Sequence, residues 1–289
     1  MTNYRIFAEA TADFPDGLLE TLDVTILPMT VEMGGNEYVI GTEGSIDPVE
    51  FYGHLSRGET ARTAQVTTNT YYQYFEKELN AGNDIILISF SSGLSKSYEA
   101  SVLCAEKLKG EFPDRKVYCI DSLCAAGGHG LLVYAAVRKQ KLGMPVDELA
   151  DWVEKNKMNM AHWVTVDELD TLLRGGRVSK TSATVGSLLN IKPIIHVDHE
   201  GKLIPVNKVR GRKKSLELMA RMCRENADRA PDEVVFLGHG TDIEGANLLR
   251  DMIMADGGPQ DVRLMYIGPV IGAHTGPTVI TLFFFGDKR

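Results

Sequence analysis

Short apolar runs alternate with helical patterns through the first half of the chain. Residues 4–10, 24–33, 85–90 and 117–121 have the composition of strands, and three of these runs are almost unbroken. Unbroken apolar runs are typical of strands that are buried on both faces of a parallel sheet. Because the runs are separated by helical patterns, they favour an open parallel sheet with helices on both faces. We therefore predict an N-terminal, Rossmann-like α/β domain.

The helices between these strands have recognisable ends. Asp47 and Pro48 predict the start of one helix, because an acidic cap and a proline at the first helical position both favour that end, and Gly58 predicts where it stops. Another helix is predicted to begin close to Pro145, with Leu149 on its apolar face. These signals support the alternation of strands and helices.

The pattern changes after about residue 158. Residues 193–197 and 203–209 flank the turn Asp198-His199-Glu200-Gly201, which predicts a β-hairpin. Further strands are predicted at residues 234–238, 262–267 and 278–285. We predict an N-terminal domain over residues 1–158 and a smaller C-terminal α+β domain over residues 159–289. Because no linker rich in proline or serine separates them, we expect a shared interface with a ligand between the two domains.

Charge and cysteine content exclude several classes of protein. A net charge of −8 and a pI near 5.4 argue against a general nucleic-acid binder, which needs a positive field to gather phosphate. The four cysteines form no C-x-x-C pair and lie mostly in apolar segments, as reduced cysteines do. The N-terminus lacks a secretory pattern, and no apolar stretch reaches the roughly 18 to 20 residues that span a bilayer. We expect a cytoplasmic protein with no integral membrane segment.

A turn rich in serine follows the third apolar run. Ser91-Ser92-Gly93-Leu94-Ser95 joins that predicted strand to a helix predicted over residues 98–108. Such a turn exposes unpaired N–H groups at the positive end of a helix dipole, so with its hydroxyls it is suited to hold one anionic group. The simpler interpretation is that Ser95 only caps the helix.

Other familiar chemistries have little support in the sequence. There is no P-loop, no Gly-x-Gly-x-x-Gly turn after the first strand and no Gly-x-Ser-x-Gly elbow. His196, Asp198 and His199 could be drawn as a metal site, but side chains on a strand and a turn need not converge, and we predict no metal. A serine-dependent acyl hydrolase that uses Ser92 with His274 stays open as an alternative, because the histidine could approach the serine in space.

Six short segments complete an ordered pattern. They are Thr11-Ala12-Asp13, Thr63-Ala64-Gln65-Val66-Thr67, the serine turn, Arg174-Gly175-Gly176-Arg177, Ile191-Lys192-Pro193 and His274-Thr275-Gly276-Pro277. In this order and spacing the chain resembles the DegV family, from about residue 4 to residue 285. Each segment alone is weak evidence for this resemblance, but six of them in the same order and spacing are specific to the family.

The resemblance implies a two-domain α/β protein that binds one long-chain fatty acid between its domains. In bacteria such proteins are the acyl-carrying subunit of a fatty acid kinase and present the carboxylate to a separate ATP-binding subunit, which makes the acyl phosphate. The family's carboxylate ligands fall on Thr63, Ser92 and His274, and we add Ser95 of the same serine turn. His274 would be a stronger donor when protonated. The resemblance implies no catalysis by this chain and no cofactor.

The family's arginines associated with kinase docking fall on Arg177 and Arg210. Two simpler interpretations stand beside this one. Arg177 would cap a helix C-terminus, where a cation is favoured, and the basic stretch from Arg210 to Lys214 would be a solvated face.

The chain departs from the family pattern close to the expected ligands. Glu9-Ala10 stands where the family has Asp-Ser, Ala64 and Val66 replace a serine and a proline, and Lys96-Ser97 replaces Gly-Thr. These changes leave the three expected carboxylate ligands in place but alter their surroundings. A regulatory lipid-binding paralogue without a kinase partner is therefore a further alternative.

Overall fold

A computed structural model describes residues 3–179, 190–228, 233–255 and 258–286. The strands are β1 (Tyr4–Glu9), β2 (Val24–Leu27), β3 (Met29–Met33), β4 (Asn36–Ile40), β5 (Ala61–Thr63), β6 (Asp84–Ser89), β7 (Val117–Asp121), β8 (Met160–Thr165), β9 (Ile191–Val197), β10 (Leu203–Arg210), β11 (Val234–His239), β12 (Asp261–Tyr266) and β13 (Ile280–Phe285). The helices are α1 (Pro48–Ser56), α2 (Thr68–Asn80), α3 (Ser97–Glu111), α4 (Ala126–Lys141), α5 (Val146–Asn156), α6 (Asp170–Arg174), α7 (Arg212–Asn226), α8 (Ile243–Met254) and α9 (Pro269–Thr275).

The N-terminal region contains the predicted parallel sheet. Its strand order is β2-β1-β6-β7, and every neighbouring pair is parallel. Ile86 in β6 lies opposite Ile6 in β1, and both side chains are almost completely buried. The unbroken apolar runs therefore correspond to strands covered on both faces, which confirms the predicted α/β class.

The predicted strand over residues 24–33 is wrong as a single element. The chain breaks at Pro28 into β2 and β3, which belong to different sheets. Proline has no N–H to donate to a strand ladder, so pairing with the parallel sheet ends there. β3 is instead the centre of an antiparallel sheet in the order β4-β3-β5, which the sequence patterns did not indicate. This small sheet matters for the site because β5 ends at Thr63.

The second region contains a six-stranded mixed sheet in the order β10-β9-β8-β13-β11-β12. The predicted hairpin is confirmed, since β9 and β10 pair antiparallel. β11 and β12 are parallel, while β13 is antiparallel to both β8 and β11. β8 begins just after residue 158, where we divide the chain, and that division into domains stays a prediction.

Helix α4 joins the two regions. Its glycines bring its backbone close to the second sheet: a Cβ added to Gly127 would lie 2.0 Å from Met265 Cε, and one added to Gly128 would lie 2.2 Å from His162 Nε2. One core cluster accordingly includes Ile6 of the parallel sheet and Phe283 of the mixed sheet. The two regions share a continuous apolar core.

The predicted helix ends are observed. The Asp47 carboxylate accepts hydrogen bonds from the N–H groups of Val49 and Glu50 at the start of α1, and Gly58 follows that helix with a φ of 88°. α5 begins directly after Pro145. In the described part of the chain, no helix combines the length and the apolar character needed to span a membrane.

Candidate functional site

A cavity of about 510 Å³ opens where the serine turn, the β9–β10 hairpin and α9 meet. We call it the inner cavity. Its polar lining includes Thr63, Ser92, Ser95, Arg177 and His274, and Lys96 and Lys202 also contribute. Five of the six predicted site residues therefore come together, from both sides of residue 158. The sixth, Arg210, is exposed at the end of β10 and does not line this cavity.

Thr63 and His274 are directly joined in this cavity. Thr63 Oγ1 and His274 Nε2 are 2.9 Å apart, within hydrogen-bond distance. Thr63 is the last residue of β5, and His274 lies in the last turn of α9, a helix that begins with Pro269. The small antiparallel sheet thus holds the threonine against a histidine from the far end of the chain.

Gly175, which directly follows α6, makes room for the His274 ring. A Cβ added to Gly175 would lie 2.6 Å from His274 Nδ1, closer than a carbon and a nitrogen can approach without a shift. Any larger residue at this position would push the imidazole away from Thr63. The position of His274 therefore explains why residue 175 is a glycine.

His274 is neutral at pH 7 in this structure. Burial lowers its pKa to about 4, and the positive charge of Arg177 acts in the same direction. The protonated form, which would be the stronger donor, is therefore not the form of His274 at neutral pH. A neutral imidazole donates through one ring nitrogen and accepts through the other, so His274 can still offer a single N–H.

The serine turn does not offer the free N–H groups that we expected. Asp121 Oδ1 accepts the N–H of Ser92 at 3.1 Å, and Ser91 Oγ accepts that of Gly93 at 3.2 Å. The Ser91 carbonyl accepts the N–H groups of the next residues, Leu94 and Ser95, at 3.0 and 3.1 Å. An anion in the inner cavity would therefore rely on side-chain hydroxyl groups and cations.

Ser95 is not the N-cap of α3, because that position is Lys96 and Ser95 lies one residue before it. Its Oγ accepts the N–H of Ser97, the first residue of α3, at 3.2 Å and lies 3.0 Å from Ser97 Oγ. Ser95 also lines the inner cavity. A role at the start of the helix and a role in the cavity are thus compatible.

The β9–β10 hairpin closes the inner cavity against the serine turn. Ser91 Oγ donates to the carbonyl oxygen of Gly201 at 2.7 Å. A Cβ added to Gly93 would lie 2.6 Å from the Glu200 carbonyl oxygen, so the two turns are in close backbone contact. This packing brings Lys202 and Leu203 into the cavity wall.

One wall of the inner cavity is apolar. Phe90, Leu94 and Ala125 form a small buried cluster, against which Leu203 and Ile271 pack, and all five line the cavity. The sequence patterns did not single out these residues, because apolar residues that line a cavity look the same as core residues. Ile271 had one usable signal, since it lies three residues before His274 and so on the same face of α9.

Arg177 lies in the wall of the inner cavity. Its Nε donates to the Leu94 carbonyl at 3.2 Å and its Nη1 donates to the Gly175 carbonyl at 2.6 Å. Burial lowers the pKa of this guanidinium, which nevertheless stays charged at neutral pH. The bond to Gly175 agrees with the helix-capping interpretation, because Gly175 is the C-cap of α6. Arg177 thus brings a positive charge next to His274.

A buried polar network centred on Glu9 holds one wall residue of the inner cavity in place. Glu9 is completely buried and accepts hydrogen bonds from Tyr71 Oη at 2.5 Å, Ser89 Oγ at 2.6 Å and the Phe90 N–H at 2.9 Å. One of the departures from the family pattern is therefore fully accommodated. Glu9 fixes the backbone of Phe90, a residue of the cavity wall.

The geometry does not favour the hydrolase alternative. Among the described residues, His274 Nε2 bonds to Thr63 rather than to Ser92, and no carboxylate orients the other ring nitrogen. A base with a pKa near 4 is also poorly matched to proton abstraction at neutral pH. Residues 3–179, 190–228, 233–255 and 258–286 contain no group of three or more His, Cys, Asp or Glu side chains placed to hold a metal ion.

Comparison with known proteins finds relatives that match nearly the whole chain. The sequence model of a family described as "Uncharacterised protein, DegV family" matches residues 3–287. A DegV domain-containing protein of Clostridium perfringens is 36% identical over 289 residues, which cover 100% of this chain and 99% of that protein.

Two solved structures share the fold along nearly their whole length. A DegV lipid-binding protein from Thermotoga maritima is 26% identical with a TM-score of 0.84, and the match covers 100% of both chains. The Streptococcus pneumoniae Fatty Acid Kinase (Fak) B3 protein, solved loaded with linoleic acid, is 21% identical with a TM-score of 0.84, over 99% of this chain and 100% of that one. The chain described here belongs to the DegV family.

Proposed function

We propose that this protein binds a long-chain fatty acid, with the carboxylate at the Thr63–His274 pair and the acyl chain in the inner cavity. The observation that carries the proposal is the meeting of this pair with Ser92 and Arg177 beside an apolar wall. The similar proteins from T. maritima and S. pneumoniae, described as binding lipid and loaded with linoleic acid, support it.

The carboxylate would be held by side chains. When neutral His274 donates its Nε2–H to Thr63 Oγ1, the hydroxyl groups of Thr63 and Ser92 are both left to donate to the carboxylate, and Arg177 adds a positive charge. Hydrogen bonds to an ionised acceptor are about twice as strong as those between neutral groups. A negative ligand beside His274 counters the positive charge of Arg177 and favours the protonated ring, so binding would raise the His274 pKa.

The acyl chain would supply most of the affinity. Burial of one methylene contributes about 0.8 kcal/mol, so some fifteen methylenes give on the order of 10 kcal/mol before entropic losses. The cavity volume of about 510 Å³ lies within the range of about 300 to 1,000 Å³ that is typical of small-molecule sites. Phe90, Leu94 and Ile271 are the side chains suited to contact the chain.

We further propose that the protein is a non-catalytic subunit, which presents the carboxylate to a separate ATP-binding fatty acid kinase. The likeness to the S. pneumoniae Fatty Acid Kinase (Fak) B3 protein supports this role. Arg210 is exposed and so accessible to a partner, whereas Arg177 lies in the cavity wall and reaches the surface only in part. We therefore assign Arg210 to kinase docking. Arg177 keeps a part in docking through its exposed portion and also places a positive charge beside the ligand's carboxylate.

The test is native mass spectrometry of the purified protein, followed by denaturation and identification of the released lipid. We expect about one fatty acid per chain, and a large loss of it in Ser92→Ala and in Thr63→Val. Thr25→Val in β2 is the matched control, because Thr25 is also partly buried but does not line the inner cavity. A wild-type protein that arrives empty and takes up neither palmitate nor oleate would contradict the proposal, and a covalent adduct of a serine-reactive phosphonate on Ser92 would favour the hydrolase.

A further inference from the structure

The hydroxyl group of Ser92 is available to a ligand in the inner cavity. Ser92 is partly buried and lines this cavity, and among the described residues its Oγ has no hydrogen-bond partner. Because no hydrogen bond to the protein holds the hydroxyl group, its position is set by the backbone of the serine turn. A group that fixes the backbone at residue 92 therefore also fixes the donor that the carboxylate would meet.

Asp121 fixes this backbone from the end of the neighbouring strand β7. Its Oδ1 accepts the N–H of Ser92 and the N–H of Leu123, both at 3.1 Å. One carboxylate oxygen thus joins the turn after β6 to the turn after β7. Leu123 has a φ of 53°, a left-handed conformation that leucine rarely adopts, so the second hydrogen bond holds a strained residue in place.

The two turns also meet the tip of the β9–β10 hairpin. The N–H of Ser91 donates to the Cys124 carbonyl at 3.1 Å, which is a second bond between the turns. A Cβ added to Gly201 would lie 2.1 Å from Ser91 Oγ and 3.1 Å from Leu123 Cδ2, so the hairpin tip touches both turns. A shift of either turn would therefore disturb the hairpin that closes the inner cavity.

The negative charge of Asp121 does not favour an anionic ligand. A carboxylate bound to Ser92 Oγ would approach the Asp121 carboxylate, and like charges repel each other. The useful property of Asp121 at this site is therefore its oxygen acceptor rather than its charge. Asparagine has an equivalent acceptor oxygen and no charge, so the two properties can be separated by experiment.

We propose that Asp121 is a positioning residue for fatty acid binding, whose Oδ1 holds Ser92 so that the hydroxyl group meets the ligand carboxylate. This inference rests on the proposed function. Asp121 does not line the inner cavity, so it acts through the Ser92 N–H and not by contact with the ligand. A donor that is held in place before the ligand arrives lowers the cost of ordering the turn during binding.

The test is a double-mutant cycle, in which palmitate affinity is measured on the full-length protein after lipid removal. We expect Asp121→Ala to weaken binding at least about tenfold, since a misplaced hydroxyl group loses its hydrogen bond to a charged ligand. In a Ser92→Ala background the same change should cost less than about twofold, because the group through which Asp121 acts is absent. Asp121→Asn should bind palmitate at least as tightly as the wild type.

Asp84→Ala is the matched control. Asp84 Oδ1 also accepts a backbone N–H, that of Lys116 at 3.0 Å, but Asp84 begins β6 and so lies at the opposite end of this strand from the serine turn. The variant should leave palmitate affinity unchanged. Thermal denaturation of each lipid-free variant reports whether it is folded. If Asp121→Ala folds poorly, the cycle is measured in a Leu123→Gly background, because glycine adopts a φ of 53° without strain.

Each outcome decides the inference. If Asp121→Ala weakens binding equally with and without the Ser92 hydroxyl group, or in neither case, Asp121 does not act through Ser92 and the inference is wrong. If Asp84→Ala or Asp121→Asn weakens binding as much as Asp121→Ala does, the effect is one of stability or of charge, and the inference is again wrong. If the wild-type protein binds no palmitate, the proposed fatty acid function itself fails.

Discussion

Asp13 is a carboxyl group that the protein buries near the end of β1. Its side chain is only 7% exposed, and its Oδ2 has no hydrogen-bond partner among the described residues. Burial raises the pKa of Asp13 to about 7, although a hydrogen bond from the Gly268 N–H partly opposes the shift. Gly268 is required for this contact, because a Cβ there would lie 2.4 Å from Asp13 Oδ1.

Asp13 should make the protein less stable as the pH rises. The folded pKa of about 7 lies above the usual value near 3.8, so the folded state binds more protons between these values and its stability falls as the pH increases through them. We expect Asp13→Asn to raise the free energy of unfolding relative to wild type at pH 8, by at most about 4 kcal/mol, and to change it little near pH 4. Chemical denaturation at both pH values measures this difference.

Asp16→Asn is the matched control, because Asp16 is a nearby aspartate that is exposed. It should leave the pH dependence of the wild type unchanged. If Asp13→Asn and the wild type differ by the same amount at pH 4 and pH 8, Asp13 does not have the raised pKa.

At the scale of elements, the contact between the serine turn and the β9–β10 hairpin holds one side of the inner cavity closed. Gly93 allows it, because a Cβ would meet the Glu200 carbonyl oxygen at 2.6 Å and the Gly201 carbonyl carbon at 2.8 Å. These are backbone atoms, which cannot rotate away as the end of a flexible side chain can. The hairpin as a whole would have to move.

We therefore expect Gly93→Ala to destabilise the protein by about 1 to 3 kcal/mol, the usual cost of overpacking a tightly fitted contact. Gly110→Ala in α3 is the control: its Cβ would meet nothing within 4 Å, and alanine favours a helix by about 1 kcal/mol. Urea denaturation of the two variants measures the difference. A Gly93→Ala protein as stable as the Gly110→Ala protein would show that the close approach is easily relieved.

At the scale of the whole molecule, the inner cavity is built from both regions of the chain. A ligand there would contact the serine turn from one region and α9 from the other, so it would bind the folded state and not the unfolded chain. Binding of this kind stabilises a protein by RT ln(1 + [L]/Kd), which is about 2.7 kcal/mol at a hundredfold excess over Kd.

Removal of bound lipid should therefore lower the melting temperature, and added palmitate should restore it. The rise in melting temperature on adding palmitate should be smaller in Thr63→Val, because that variant lacks one donor to the carboxylate. It should equal that of the wild type in Arg210→Gln, because Arg210 lies outside the inner cavity. Differential scanning calorimetry with and without palmitate measures both. If palmitate leaves the wild-type melting temperature unchanged, the inner cavity does not hold it.

Local signals in the sequence determined the elements. The apolar runs of β1 and β6, the cap at Asp47 and the turn after residue 197 each depend on neighbouring residues, so their structures follow from short segments. Pro28 was one exception, because the apolar run around it continues while the proline removes one donor from the strand ladder. The short strands β4 and β5 were another, since no pattern indicated them. The six ordered segments were enough to indicate the family.

Tertiary structure alone decided which site residues pair with each other and whether His274 is charged. Thr63 and His274, 211 positions apart, meet only because β5 and α9 pack together, and burial there makes the histidine neutral. The N–H of Ser92 is occupied by Asp121, 29 positions away, which no local pattern indicates. Burial and pairing depend on what lies nearby in space, and for these residues the neighbours are distant in sequence.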